Sequence, residues 1–351
     1  MLQRSSDDVR VTKTQELQEW HNPEPTRASN SWMRNRRSSV ISGDTPSPVS
    51  IPSSRSLLIG VALLLVVGIG SAAFAGCTTI QIQEEDVFLP KPSVTPETFA
   101  NDAVQLRELY VQSDSVRLNA WHLTRTDAQG TVLFFGGNGF YLVQSRGYVD
   151  ALTSFPVNVL MFDYRGYGKS TGEPGVNSFK QDALNVYDFA IDSLGANPQR
   201  LIVHGHSLGT FMASHTATER DVSGVVLENP ATDVKGWIDG LAPWFVRLFV
   251  DFEIAEPLQD ESNLSVVKRL DVPLLIFAGE NDNVTRPEMA QTLYDEAVSS
   301  SKNLVVVDSA GHNHLYRDPA YTDAYRSFIG GTVRSARASA SNGADSSEAD
   351  S

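Results

Sequence analysis

A serine with glycines two residues before and two after, Gly205-His206-Ser207-Leu208-Gly209, is the arrangement in this chain best suited to chemistry. A serine hydroxyl attacks a carbonyl only when a base removes its proton. Glycines at those two places let a strand turn sharply into a helix with the hydroxyl at the turn, where larger side chains would collide with neighbouring backbone. The flanks fit: the apolar residues 201–203 precede the pattern and a helical pattern follows over 208–219. The competing reading is a serine in an ordinary tight turn.

A base and an orienting acid lie downstream. Asp282 stands four residues past the apolar run 273–278, on a loop at its carboxyl end, and His312 follows the last apolar run at 304–307. The alternative for Asp282 is an Asx-turn carboxylate. The rival of His312 is His314, and Gly311 directly before His312 favours the former. An oxyanion formed at the attacked carbonyl needs preorganised N–H donors. Leu208 N–H, next to the nucleophile at a helix start, is one expected donor. The other is Asn138 N–H in Gly136-Gly137-Asn138-Gly139, a run that could also be a glycine-rich turn with a purely geometric role. His204 and His206 flank Gly205, but a metal site needs further ligands at suitable spacing. No metal or cofactor is therefore expected.

Positioning these residues requires a scaffold of alternating strands and helices. Residues 105–111 and 115–123 read as an opening antiparallel pair; short apolar runs follow at 131–135, 157–162, 200–204, 222–227, 273–278 and 304–307. Helical patterns fall at 141–154, 178–192, 208–219, 287–299 and 319–329. Near-continuous apolar strands alternating with helices predict an α/β fold, with a mainly parallel central sheet covered by helices on both faces. Chemistry then belongs at the carboxyl ends of the strands. Between the sixth and seventh of these strands, residues 237–250 carry Trp237, Ile238, Trp244, Phe245, Leu248 and Phe249. So many large apolar side chains in a connection suggest a small cap over the site or a lipid-facing surface, against a reading as ordinary core.

Over residues 105–330 the chain resembles the α/β-hydrolase superfamily, in particular the membrane-associated, serine aminopeptidase-like branch with acyl-protein thioesterases and lysophospholipid lipases. The resemblance rests on Phe135-Gly136-Gly137-Asn138-Gly139, on Asp163-Tyr164-Arg165-Gly166-Tyr167-Gly168-Lys169-Ser170, on the Ser207 pattern, on Gly279-Glu280-Asn281-Asp282 and on Gly311-His312-Asn313. It implies the α/β-hydrolase fold, and it makes the 163–170 segment a structural loop beside the active site with Tyr164 and Arg165 as supporting residues. The family usually carries histidine at the position of Gly136, a departure that leaves the backbone donor at 138 in place.

The remainder of the 351 residues sets the context. Apolar content of 41% is ordinary for a globular protein, and a formal net charge of −14 argues against nucleic acid as a partner. Residues 1–56, rich in Ser, Pro, Arg and Asn, are expected to be disordered. Residues 57–75 hold no charged side chain, and about 19 residues at ~1.5 Å each approach the ~30 Å of bilayer hydrocarbon. Ala75-Gly76 before the single cysteine, Cys77, is similar to a lipobox. Residues 57–77 thus read as a lipoprotein signal cut before Cys77, as an uncleaved signal anchor or as a core helix. Arg34, Arg36, Arg37 and Arg55 precede the run and Glu84, Glu85 and Asp86 follow it, which places the downstream domain outside the cytoplasm. Residues 78–104 read as a proline-spaced tether, 105–333 as one domain and 334–351 as a disordered tail.

The expected function is a membrane-anchored serine hydrolase acting on a small-molecule or lipid acyl substrate, ester or thioester before amide, through an acyl-enzyme. An aminopeptidase and a catalytically silent binding module on the same fold are the alternatives.

Overall fold

The computed structural model describes residues 78–84, 88, 104–241 and 250–348. The expected leader and membrane segment, residues 1–77, lie outside the described residues, as do 242–249 of the expected cap. Among the described residues no helix is long and apolar enough to cross a membrane.

The strands are β1 Thr78–Ile82, β2 Gln105–Ser113, β3 Val116–Thr124, β4 Gly130–Phe135, β5 Val157–Phe162, β6 Leu201–His206, β7 Gly224–Glu228, β8 Val250–Ile254, β9 Leu274–Gly279 and β10 Lys302–Val307. Eight form one sheet in the order β10-β9-β7-β6-β4-β5-β3-β2. The strands β4, β5, β6, β7, β9 and β10 run parallel, and β3 pairs antiparallel with both β2 and β5. The helices are α1 Arg146–Leu152, α2 Val176–Asp192, α3 Gly209–Glu219, α4 Val234–Leu241, α5 Glu256–Gln259, α6 Asn263–Val267, α7 Pro287–Glu296 and α8 Pro319–Glu348.

Successive side chains of a strand point to opposite faces. Leu133, Phe135, Leu160, Phe162 and Val203 therefore enter one apolar layer beneath α2, α3 and α7, while Val132, Phe134, Val159, Met161 and Ile202 enter a second beneath α1 and α8. Every residue of β6, β7 and β9 is buried, which is why these strands read as continuous apolar runs. A fully buried Leu or Phe stabilises by roughly 1.5–3 kcal/mol, against about 0–1 kcal/mol for an exposed ion pair. The two layers, rather than surface pairs such as Arg146 with Asp150, hold the frame.

Two expectations need correction. Of the expected tether 78–104, residues 85–87 and 89–103 lie outside the described residues, and the described start is not free: β1 pairs in parallel with β8, Glu84 Oε1 accepts from Val176 N at 2.7 Å, and Phe88 is buried against Phe179 at 4.8 Å between ring centroids. Prolines at 90, 92 and 96 dominated the reading, whereas Ile82 and Phe88 had apolar surface to bury. At the other end α8 continues to Glu348, across the expected tail. Alanines at 336, 338, 340 and 344, with no proline, favour helix even where polarity argues against a core.

Candidate active site

Ser207 stands directly after β6 at φ 52, the left-handed region that costs a non-glycine residue on the order of 1–3 kcal/mol. The turn is held by Ser207 N donating to Glu228 O at 2.9 Å, and by Thr210 donating to Ser207 O from its N–H (3.0 Å) and its hydroxyl (2.6 Å). A Cβ at Gly205 would lie 2.2 Å from Gly209 O, and one at Gly209 would lie 2.1 Å from Phe135 O. Both glycines are thus demanded by close approach of backbone.

The loop after β9 carries Asp282, which is buried. Its Oδ1 accepts from Val284 N (2.7 Å) and Thr285 N (3.1 Å), and its Oδ2 from His312 Nδ1 at 2.7 Å. Thr285 Oγ1 lies 2.9 Å from both Asp282 Oδ2 and Asn229 O, and shares its one proton between them. Burial pushes the Asp282 carboxyl up. The hydrogen bond from His312, with the two backbone donors, outweighs that and holds it below its ordinary value. With Nδ1–H committed to Asp282, His312 Nε2 accepts from Ser207 Oγ at 2.9 Å. The expected residues Ser207, Asp282 and His312, spread over 105 positions of sequence, thus form one hydrogen-bonded chain.

Of the two histidines the loop offers, only His312 reaches the serine. His314 is exposed and pairs its Nδ1 with Tyr316 OH at 2.7 Å. The main chain at 312 is itself clamped, because His312 O accepts from Asn229 Nδ2 (2.8 Å) and from His206 Nε2 (3.0 Å). His206 is buried, and burial above all lowers its pKa to about 4, so at neutral pH its single ring proton sits on Nε2 for that bond. The two histidines around Gly205 have different hydrogen-bond partners: His204 Nε2 meets Glu228 Oε2 at 3.1 Å.

Leu208 opens α3 directly after the serine, and residues 136–139 pass alongside: a Cβ at Gly137 would lie 3.3 Å from Ser207 Cβ. Glycine at 136 has a local cause, since a Cβ there would fall 2.1 Å from Phe140 Cγ. The Phe140 ring occupies the space a side chain at 136 would need. The loop is braced from behind by the 163–170 segment, with Tyr164 OH donating to Gly136 O at 2.9 Å and Tyr167 OH to Asn138 Oδ1 at 3.0 Å. That segment is in turn folded around buried Asp163, which accepts from Leu142 N, Asn119 Nδ2 and Lys169 N. Burial raises the Asp163 pKa in spite of those donors. Arg165 turns away and pairs with buried Asp182 at 2.6 Å. Tyr167, Asn119, Thr285 and Asn229 were not singled out from sequence. For Tyr167 the signal was the Asp-Tyr-Arg-Gly-Tyr-Gly run itself, and for Thr285 its place three residues after Asp282; Asn119 and Asn229 belong to contacts across strands that no local pattern carries.

On the flank of the site α4 packs against the acid loop. Trp237 Nε1 donates to Val284 O at 3.0 Å, and Arg286 donates to Gly240 O at 2.7 Å. Ile238 is buried in the core, so the described part of the expected cap serves as a wall beside Asp282.

Comparison with known proteins places this arrangement. The profile of the family described as "Serine aminopeptidase, S33" matches residues 126–265 and 260–319, more than half of the chain. An uncharacterised membrane protein of Saccharomyces cerevisiae is 26% identical over 62% of this chain and 77% of its own. The lysophosphatidylserine lipase ABHD12 of Xenopus tropicalis is 28% identical over 64% of this chain and 68% of its own. Among solved structures, the esterase Pf2001 of Pyrococcus furiosus shares the fold with a TM-score of 0.54, at 19% identity over 68% of this chain and 98% of that one. A parallel sheet with its polar cluster at the strand ends and a family profile across that cluster lead to one conclusion: the chain is an α/β hydrolase of the serine aminopeptidase, S33, family.

Proposed function

We propose that the protein is a serine esterase or thioesterase that cleaves acyl substrates through a covalent acyl-enzyme. The observation that carries this reading is His312 bridging Asp282 Oδ2 and Ser207 Oγ at 2.7 and 2.9 Å, on a serine held at positive φ. His312 Nε2 takes the Ser207 proton as Oγ attacks the acyl carbon, Asp282 orients the imidazole and stabilises its charged form, and the N–H groups of Leu208 and Asn138 receive the oxyanion. The tetrahedral intermediate expels the alcohol or thiol, which leaves with the proton from His312. Water, deprotonated by the same imidazole, then releases the acid and regenerates Ser207.

An ester-bearing lipid as substrate draws support from the Xenopus relative named as a lipase and from the esterase neighbour. The membrane reading draws on the uncharged run at 57–75, on the charge asymmetry around it and on the yeast relative named as a membrane protein. We place the anchor at residues 57–77, with the catalytic domain outside the cytoplasm.

The family's description as a serine aminopeptidase favours a second reading, hydrolysis of an amino-terminal peptide bond. The full-length protein in detergent, offered acyl esters of graded chain length, thioesters and aminoacyl amides, decides between them, with fluorophosphonate labelling in parallel. Labelling with ester or thioester turnover supports the proposal. Turnover of amides alone transfers it to the aminopeptidase reading, and a protein that neither labels nor turns over substrate is a binding module.

A further inference from the structure

We infer that Asn229 is a positioning residue that locks the base loop and the acid loop onto the strand beside the nucleophile. The inference rests on the serine-hydrolase reading and extends it to a residue outside the Ser207–His312–Asp282 chain. Asn229 follows β7, which lies between β6, the strand that ends at the serine turn, and β9, the strand that leads to Asp282. It is buried at 1% exposure and holds φ 48.

From that place its polar groups reach β9, the acid loop and the base loop. Its N–H donates to Phe277 O in β9 at 2.8 Å, and its carbonyl accepts from Thr285 Oγ1 at 2.9 Å. Its side-chain Oδ1 accepts from Gly279 N at 2.8 Å, and Nδ2 donates to His312 O at 2.8 Å. The residue before it, Glu228, accepts from Ser207 N through its main-chain carbonyl. Two consecutive residues therefore tie the three loops that carry nucleophile, base and acid.

Few side chains meet these demands together. Asparagine tolerates the left-handed region better than most residues. Its amide offers a donor and an acceptor on one short stem, and the donor and acceptor here serve opposite loops. Aspartate keeps the acceptor for Gly279 N but turns a carboxylate oxygen toward His312 O. Glycine keeps the backbone angle and loses both side-chain bonds.

The link to turnover is geometric. A general base works from about 2.6–3.2 Å of the proton it takes, and the main chain at 312 sets where Nε2 sits relative to Ser207 Oγ. Without Asn229 Nδ2, His206 Nε2 is the remaining side-chain donor to His312 O among the described residues. A shift of about 1 Å in a reacting group costs on the order of 10²-fold.

The test uses full-length Asn229→Asp and Asn229→Gly beside wild type and Ser207→Ala. Circular dichroism follows folding, the amplitude and rate constant of fluorophosphonate labelling are recorded, and kcat per labelled site and KM are measured on an ester that wild type cleaves. The expected result is complete labelling of a folded variant with the labelling rate constant and kcat each down roughly 10²-fold and KM within about threefold. Rates per labelled site equal to wild type in either folded variant overturn the inference. So does a loss of activity that merely tracks a smaller labelled fraction in both, because that is a role in folding alone. Failure of wild type to label, or labelling of Ser207→Ala, overturns the hydrolase reading and this inference with it, whereas normal wild-type labelling with unaffected variants sinks the inference alone.

Discussion

Two carboxylate–imidazole–hydroxyl chains lie on neighbouring strands of this molecule. In one, Asp282 Oδ2, His312 and Ser207 Oγ are linked at 2.7 and 2.9 Å. In the other, Glu228 Oε2, His204 and Tyr325 OH are linked at 3.1 and 3.2 Å. Each carboxylate is wholly buried, and Asp282 gains one further hydroxyl, from Thr285, and Glu228 two, from Tyr148 and Tyr321. In both, burial opposes ionisation and the imidazole with its fellow donors overcomes it, so that both carboxyls sit below their ordinary values. The difference lies at the far end of the imidazole. His312 is 16% exposed and faces a serine on a strained turn at the end of a strand, whereas His204 is sealed between Phe134 and Tyr325 and faces a phenol. Burial and the Glu228 charge hold that Tyr325 phenol well above its ordinary pKa. Similar residue types thus build the proposed reactive site where one end meets solvent and a structural post where neither does.

The comparison can be broken by exchanging its consequences. Ser207→Ala should abolish covalent labelling, and both it and His312→Ala should lower kcat by roughly 10⁶-fold, since members of such a chain act as a unit; steady-state kinetics with active-site titration checks this. Asp282→Asn should cost roughly 10⁴-fold through the wrong imidazole tautomer, with the far-ultraviolet spectrum unchanged. The same type of change in the other chain should act on stability instead. His204→Leu strips the Glu228 carboxylate of a buried partner and should lower the unfolding free energy by about 3–5 kcal/mol in a denaturant titration, with kcat per labelled site within a few-fold of wild type. If His204→Leu abolishes turnover in a folded protein, the second chain is part of the chemistry and the contrast is wrong.

His206, between the two chains, gives a pH-dependent effect of smaller size. Its folded-state pKa of about 4 lies below the ordinary 6.5, so the unfolded chain takes up the proton first as pH falls. Its contribution is complete above pH 6.5, declines on the way down to pH 4 and then levels off. The loss is on the order of 3 kcal/mol. Subtracting the stability profile of His206→Gln from that of wild type isolates it, and parallel profiles would show that His206 is not held neutral. The smallest effect belongs to His314→Ala, whose kcat should stay within about threefold of wild type because its imidazole meets Tyr316 rather than Ser207.

Legibility in the sequence followed locality. The strand before Ser207 and the glycines around it are dictated within nine residues, and β4, β5, β6, β7 and β9 show as apolar runs because both of their faces are buried. The helix limits shifted by a few residues where a different turn intervened, as at the 3-10 turn Leu142–Gln144 ahead of α1. The packing of Thr78–Ile82 and Phe88 leaves no local signal because their partners, β8 and Phe179, lie far along the chain.

What the sequence by itself determined was the alternation of strand and helix, the serine turn and a short list of candidate acids and bases, all properties of side-chain volume, backbone freedom and apolar period over short stretches. The tertiary structure alone decided that His312 rather than His314 meets the serine, that His204 and His206 serve different chains, and that Asn229 ties three loops together. Those choices depend on distances between residues up to 121 positions apart, which only the order and register of the strands can set.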